Sequence, residues 1–463
     1  MTASLTRPAA GIGQSANLRY SEVPAGQYEE VGEEMSVASQ RLMENVTYED
    51  LYQRWEQGNW SAYDIDFSAD RAGWAGLSDI QRRSAMWIYS MFFYGEDRVA
   101  DTLAPYITAA PTEEQSYFLA TQQVDEVRHS LFFHRFFKEV IGVGGESLED
   151  TLASTLPQLN WGYLGVFNRL DRMAEELRKD TSLPKYAQAI TLYHLIVEGS
   201  LAQPGQHFIE DFFAKGETMP GFSAGMANVS RDEQRHIGFG VKVLSELLDL
   251  SRPYGEECRA AVIELLREVL PYSPAVFRPP NLDRRYTECY GFTMEDIYGF
   301  GLKLVRQRWR TIGFPVEEMP SGVFPFDPDK SEQQLADDQV RMMLGGILGP
   351  ADGSVVPSND PELMRLYFDM TARVADPAAA NGTPLVYQWK FSDAEPWTLT
   401  IDNGSTRAEP GVAANPAVTI ESSWADWLAS TKPDADPLKM MLRRKIRPRG
   451  SIRELARMRK VFN

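Results

Sequence analysis

Asp125-Glu126-Val127-Arg128-His129 recurs almost unchanged as Asp232-Glu233-Gln234-Arg235-His236. Each copy contains Glu-x-x-His, and each follows a lone glutamate at a similar distance. Glu96 stands 30 residues before Glu126, and Glu198 stands 35 before Glu233. Residues three apart share a helix face, so the glutamate and histidine of one copy can reach one metal pair. A single Glu-x-x-His is most often a solvated polar face. Two copies, each with an upstream glutamate in an apolar helix, describe a dimetal carboxylate site inside a four-helix bundle. Glu96 follows Met91-Phe92-Phe93-Tyr94-Gly95, and Glu198 follows Leu195-Ile196-Val197. Carboxylates in such surroundings are costly unless paired or bound to metal. Carboxylate with imidazole suits iron or manganese, whereas soft copper or structural zinc favours thiolates. The two cysteines, Cys258 and Cys289, lie away from these motifs.

Four helices must hold these groups. Apolar residues at three- and four-residue intervals predict them near 79–105, 112–141, 183–215 and 222–250. Further helices are expected near 161–179, 256–270 and 293–312. Pro111-Thr112-Glu113-Glu114 and Ser182-Leu183-Pro184 read as helix starts, with proline tolerated in the first turn. Pro315, Pro320, Pro325 and Pro328, among acidic residues, then read as a linker. Beyond it, residues 386–391, 397–401 and 417–420 alternate like strands, and Asp402-Asn403-Gly404 marks a turn. Residues 423–430 and 438–442 read as helical. The expected fold is mainly α, a bundle with extra helices followed by a smaller α+β domain. Its expected divisions are a mobile Gly-, Ala-, Ser- and Glu-rich arm at 1–36, a dimetal domain at 37–314, a linker at 315–356 and a second domain at 357–463.

Composition sets the outer bounds. A chain of 463 residues predicts two domains, and 43% hydrophobic with 11% aromatic residues is enough to fill their cores. A formal charge of −18 argues against a nucleic-acid partner. Two cysteines and no basic-apolar leader among the first residues indicate a reduced, cytoplasmic setting. No run approaches the ~20 apolar residues of a membrane span. All five histidines precede residue 237, so the second domain offers no evident metal chemistry. Ten Lys or Arg lie in 439–460, either a solvated surface or a contact for anionic lipid or coenzyme A.

The helical part resembles the ferritin-like superfamily, and within it the small subunit of class I ribonucleotide reductase. That family's six ligands run carboxylate, Glu-x-x-His, Glu, Glu-x-x-His, which here fall on Glu96, Glu126, His129, Glu198, Glu233 and His236. The resemblance makes Glu126 and Glu233 the bridges, and places Asp125 and Asp232 behind the imidazoles to orient them. The reductase's radical-bearing tyrosine is replaced by Phe133, which cannot supply a phenoxyl radical. Gly95-Glu96-Asp97-Arg98-Val99 and Tyr193-His194-Leu195-Ile196-Val197-Glu198-Gly199, with Asp64-Ile65-Asp66-Phe67-Ser68 upstream, are similar instead to the ligand-binding oxidase branch. This similarity covers roughly residues 45–250. A sister group, the arylamine N-oxygenases, places an extra histidine four residues before the last glutamate, where this chain has Val229. His194 and His207 are read as interior or surface histidines.

The resemblance implies two metal ions (Mn/Fe or Fe/Fe), O2 as co-substrate, an external electron donor and a homodimer. It also implies a bond joining the Val99 β-carbon to the Tyr193 oxygen. Val99 shares a face with Glu96. Tyr193 lies five before Glu198 and on a regular helix would point about 140° away. A π-bulge would bring it round. Residues 357–463 are similar to the sterol carrier protein type two fold, whose members enclose an apolar tunnel for acyl chains or sterols. The two resemblances together imply an oxidase or oxygenase acting on a C–H bond of a long-chain acyl or other apolar substrate. The alternatives are an N-oxygenase, hydroxylase or halogenase of a small substrate at the same metals, and a lipid-binding or iron-handling protein without turnover.

Overall fold

The computed structural model describes residues 46–462 apart from 146, 217, 321, 381–383 and 403, and the arm expected at 1–36 lies outside the described residues. Val46–Asn463 form one compact unit. Its helices begin where side chains can satisfy the free N–H groups of a first turn. Thr47 caps α1 (Tyr48–Gln57) in a reciprocal box with Asp50, and Ser78 caps α2 (Asp79–Ala109) in the same way with Gln81. Thr112 caps α3 (Glu113–Phe136), so Pro111 sits ahead of the cap and not in the first turn. Asn160 caps α4 (Trp161–Leu177). Pro184 does occupy the first turn of α5 (Leu183–Ile190).

α5 continues without a turn into a π-helix (Thr191–Ala202) and then α6 (Gln203–Gly216), because Ile190, Thr191 and Gln203 keep right-handed helical dihedrals. α7 (Pro220–Leu247), α8 (Gly255–Val269) and α9 (Met294–Thr311) complete the helical lobe. α2, α3, the π-helix and α7 carry the six candidate ligands, as the apolar periodicity predicts. The bundle closes over Phe93, Phe132, Phe133, Phe136 and Phe222, all without solvent exposure.

The segment expected as a linker contains a helix, α10 (Glu332–Leu344), packed on α9. Its prolines stop at Pro328, and Ser331 with Gln334 then forms a capping box. Leu335, Ala336, Val340 and Met343 give it a buried face.

The second lobe contains α11 (Pro361–Val374) and five strands: β1 (Leu385–Phe391), β2 (Trp397–Asp402), β3 (Ser405–Pro410), β4 (Val418–Ser422) and β5 (Ile446–Gly450). They lie in the order β3-β2-β1-β4-β5, with β1 and β4 parallel and the other pairs antiparallel. β3 and β5 escape the alternation pattern because they are edges. β3 buries only Ala408, and β5 carries Arg447, Pro448 and Arg449, residues that blunt an open edge. α12 (Trp424–Ser430), α13 (Pro437–Leu442) and α14 (Ile452–Val461) complete the lobe. Phe368 of α11 stacks flat on Trp397 at 4.7 Å, and Trp389 and Trp424 fill the space around the pair. The basic C-terminal stretch is partly neutralised, with Lys445 on Asp426 at 3.0 Å and Arg449 on Glu421 at 2.8 Å. No helix among the described residues is long and apolar enough to cross a membrane.

Candidate metal centre

Glu96 projects from α2, Glu126 and His129 from α3, Glu198 from the π-helix, and Glu233 and His236 from α7. All six are buried. They form two overlapping sets able to hold a metal ion, with ligand atoms within 4.8 Å of one another in each. One set is Glu96, Glu126, His129 and Glu233. The other is Glu126, Glu198, Glu233 and His236. Glu126 and Glu233 belong to both.

The imidazoles face inward through Nδ1. His129 Nδ1 lies 3.1 Å from Glu96 Oε2, 3.5 Å from Glu126 Oε2 and 3.6 Å from Glu233 Oε1. His236 Nδ1 lies 3.3 Å from Glu126 Oε1 and 3.4 Å from Glu198 Oε1. Both Nε2 atoms face outward onto aspartates, and the pairing crosses between helices. His129 Nε2 is 3.2 Å from Asp232 Oδ2, and His236 Nε2 is 3.2 Å from Asp125 Oδ2. Each aspartate therefore serves the histidine of the other motif. A carboxylate accepting from Nε2–H fixes the tautomer that leaves Nδ1 free to bind metal.

Arg235 ties the two aspartates together, donating to Asp232 at 3.1 Å and to Asp125. Arg128 donates to Asp125 at 3.0 Å. The indole N–H groups of Trp55 and Trp60 donate to Asp125 at 3.0 Å and Asp232 at 2.7 Å. Burial opposes charge on Asp232, yet His129, Arg235 and Trp60 hold its carboxyl well below the usual range. The two tryptophans lie outside the repeated motif and are reached only through tertiary packing.

Gln122 is a further participant that motif reading passes over. It sits one turn before Glu126, and its amide donates to Glu198 at 2.8 Å and Glu126 at 3.2 Å. Its own oxygen lies 3.0 Å from His194 Nε2. Burial, with His236 nearby, pushes His194 down to about 3, so this imidazole is neutral and works through Gln122. α7 approaches closely here: a Cβ on Gly240 would fall 2.2 Å from His194 Cβ. His207, exposed and stacked on Phe300 at 4.4 Å, belongs to neither ligand set. Val229 is fully buried and apolar.

The cluster fits metal better than it fits protons alone. Oε2 of Glu126, Glu198 and Glu233 and Nδ1 of His236 are buried without hydrogen-bond partners. Each such orphan costs about 1–3 kcal/mol unless something satisfies it. Burial pushes Glu96 up to about 7 and Glu198 up to about 8. It also raises Glu233 well above the carboxylate range, helped by Glu198 and Glu126. Glu126 goes the other way: burial opposes its charge, but His236 and His129 hold it well below the carboxylate range.

A pocket of about 50 Å³ reaches Glu96, Glu198 and Glu233. Met91, Phe92, Val99 and Val197 are among its walls. Val99 thus lies beside the carboxylates, one helical turn beyond Glu96. Tyr193 is also brought to the cluster, because the π-helix spans the stretch where a regular helix would turn it away. Its hydroxyl donates to Glu126 Oε1 at 3.1 Å, and burial raises its phenol well above the ordinary value. Phe133, at the place of a radical tyrosine, is buried among Phe92, Phe132 and Phe222.

Residues 42–272 match the model of the ribonucleotide reductase small-chain family, and residues 370–463 match that of the SCP-2 sterol transfer family. Among solved structures, the chain is similar to an R2-like ligand-binding oxidase variant with an anaerobically reconstituted Mn/Fe cofactor, at 25% identity. That match covers 58% of this chain and 93% of that one, with a TM-score of 0.49. An R2-like ligand-binding oxidase from Sulfolobus acidocaldarius is similar at 24% identity, covering 63% and 94%, with a TM-score of 0.49. The small-chain family match and the two overlapping ligand sets make this chain a dimetal-carboxylate oxidoreductase.

Proposed function

We propose that this chain, whose residues 42–272 belong to the ribonucleotide reductase small-chain family and whose residues 370–463 belong to the SCP-2 sterol transfer family, is an O2-dependent oxidase or oxygenase acting on a C–H bond of a long-chain acyl or similarly apolar substrate. The observation that carries this reading is the apolar pocket ending on Glu96, Glu198 and Glu233. An unactivated hydrocarbon placed there meets the ligand cluster and little else that is polar. The proposed divisions are a dimetal domain at 37–314, a connecting segment at 315–356 and a lipid-carrier-like domain at 357–463.

In this reading Glu96 and His129 would hold one metal and Glu198 and His236 the other, with Glu126 and Glu233 available to both. Asp232 and Asp125 hold the imidazole tautomers. A bound Mn/Fe or Fe/Fe pair supplies the redox capacity to reduce O2 at the expense of a C–H bond, with an external donor providing electrons for any oxygen insertion. The apolar walls exclude water, so oxidising equivalents are spent on the substrate and not on solvent. Tyr193 holds its proton on a hydrogen bond to Glu126 Oε1, a ready acceptor.

We assign Val99 and Tyr193 as the pair that such a centre joins in the absence of another substrate. The Cβ–H and O–H bonds break, a Cβ–O bond forms, and O2 accepts the two electrons and two protons released. The test is to load metal-free protein with manganese and iron(II), admit air, and follow O2 uptake with and without a long-chain fatty acid. Peptides bearing Val99 and Tyr193 are then examined by mass spectrometry against an anaerobic control. O2 consumption stimulated by the acid, with a joined peptide pair lighter by two hydrogens, is the expected result. No O2 uptake by protein that has bound both metals overturns the oxidase reading. Uptake with separate, unmodified peptides removes the cross-link alone.

A further inference from the structure

A second, larger cavity, of about 1250 Å³, lies between the helical lobe and the α+β lobe. The helical side contributes Ile196, Leu201 and Phe277, and the other side contributes Leu366, Met370 and Trp427. Among the described residues no strand residue lines it, so this space is not the interior of the α+β lobe, where Trp389, Trp397 and Phe368 pack together. Leu201 and Phe277 line both this cavity and the small pocket at the carboxylates. Leu201 belongs to the same π-helix as Tyr193 and Glu198. One helix thus faces the metal ligands at one place and the interlobe cavity at another.

We propose that the cavity between the lobes holds the apolar chain of the substrate and passes one end between Leu201 and Phe277 to the carboxylate pocket, so that the α+β lobe is a wall of the active site. This rests on the acyl-oxidase reading given above and adds where the chain lies.

The dimensions select the ligand. The interlobe cavity exceeds the ~300–1,000 Å³ of sites for drug-sized molecules. The pocket beyond Leu201 and Phe277 is only about 50 Å³. A slender, flexible hydrocarbon chain can occupy both, whereas a fused-ring sterol can fill the first and not enter the second. Among the described residues four cations line the wall, Arg267, Lys330, Arg373 and Lys432, and three of them are engaged by other groups. Lys330 is paired with Asp338, Arg373 with Asp327 at 2.7 Å, and Lys432 donates to the Ile347 carbonyl at 2.7 Å.

The experiment uses the full metal-loaded chain, kept free of O2, with two photoreactive stearic acids carrying a diazirine near the carboxyl or near the methyl end. After illumination, labelled peptides are mapped by mass spectrometry. One probe is expected to label the peptides of Leu201 or Phe277, and the other the peptide of Leu366 and Met370. Labels confined to one lobe, or lying in the strands, overturn the proposal. Met370→Trp, which fills the cavity, is expected to weaken stearate binding by about tenfold or more, and unchanged binding counts against the site. Leu201→Trp is expected to keep binding while abolishing the change that stearate makes in the visible spectrum of the iron-loaded centre. A spectrum that still responds as in the unmodified protein removes the passage. Because labelling is anaerobic, it is untouched by failure of the oxidase reading, which O2 uptake alone decides.

Discussion

The two Glu-x-x-His helices are near copies in sequence and unlike in setting. On α3, Glu126 lies between both imidazoles and receives the Tyr193 hydroxyl, and its charge is favoured despite burial. On α7, Glu233 stands farther from the imidazoles, 3.6 Å from His129 Nδ1 and 3.9 Å from His236 Nδ1, and burial with the neighbouring carboxylates disfavours its charge. Their partners differ as well: Glu96 stands on a regular helix, whereas Glu198 stands on a π-helix and receives the Gln122 amide. The repeated residues set the ligand types, and the unrepeated neighbours make the half-sites inequivalent. Inequivalent half-sites are what selective loading of two different metals requires, since ligand type alone does not separate iron from manganese.

The strongest way to break this comparison is to remove a residue common to both halves. Glu126→Ala is expected to abolish stable loading of either metal, lowering O2 uptake by more than the ~10–100-fold typical of losing an outer partner. Elemental analysis that still finds two metals per chain would falsify its shared role. Removing both metals probes the halves together. Stripped protein should be less stable by roughly 4 kcal/mol relative to protein held at about a thousand times the dissociation constant, seen as a lower Tm by calorimetry. A Tm indifferent to chelation argues against metal as the partner of the orphaned oxygens.

Single aspartates sharpen the comparison. Because the pairing is crossed, Asp125→Asn should weaken the site holding His236, and Asp232→Asn the site holding His129, each by about 10–100-fold. Spectroscopic titration that finds each loss on the aspartate's own helix would contradict the crossing.

A smaller effect follows from acidity. Glu96 at about 7 and Glu198 at about 8 keep protons near neutrality, which incoming metal must displace. Metal affinity should therefore rise as pH increases through 7 to 8. The metal-free fold binds more protons at Glu96 and Glu198 than the unfolded chain, so their contribution to its stability is lost over the wider window from 4.5 up to about 8. Calorimetric titrations on either side of it check both signs. Smallest of all, Tyr193→Phe should cost about 1 kcal/mol of stability. It should leave the metal count unchanged, as elemental analysis would show.

Much of the centre was legible because its signals are local. The spacing of Glu126 to His129 and of Glu233 to His236, in apolar helices, picks out candidate ligands without tertiary information. The need for a π-bulge at Tyr193 also followed from counting residues against 3.6 per turn. Other features left no local trace. Trp55 and Trp60 reach Asp125 and Asp232 from a separate segment, and Gln122 looks like any polar helix residue. α10 hid behind the prolines before it, and β3 and β5 hid because edge strands carry polar residues on both faces.

The sequence by itself determined the candidate ligand set, the helices that bear it and the two-lobed order along the chain, because helix periodicity and metal chemistry act over a few residues. Only the tertiary structure decided that the aspartates cross to each other's histidines. It alone decided that burial and neighbours favour charge on Glu126 and disfavour it on Glu233, and that Leu201 and Phe277 line both the carboxylate pocket and the interlobe cavity. Those properties depend on distances between segments far apart in the chain, and burial, through the cost of desolvating charge, turns those distances into chemistry.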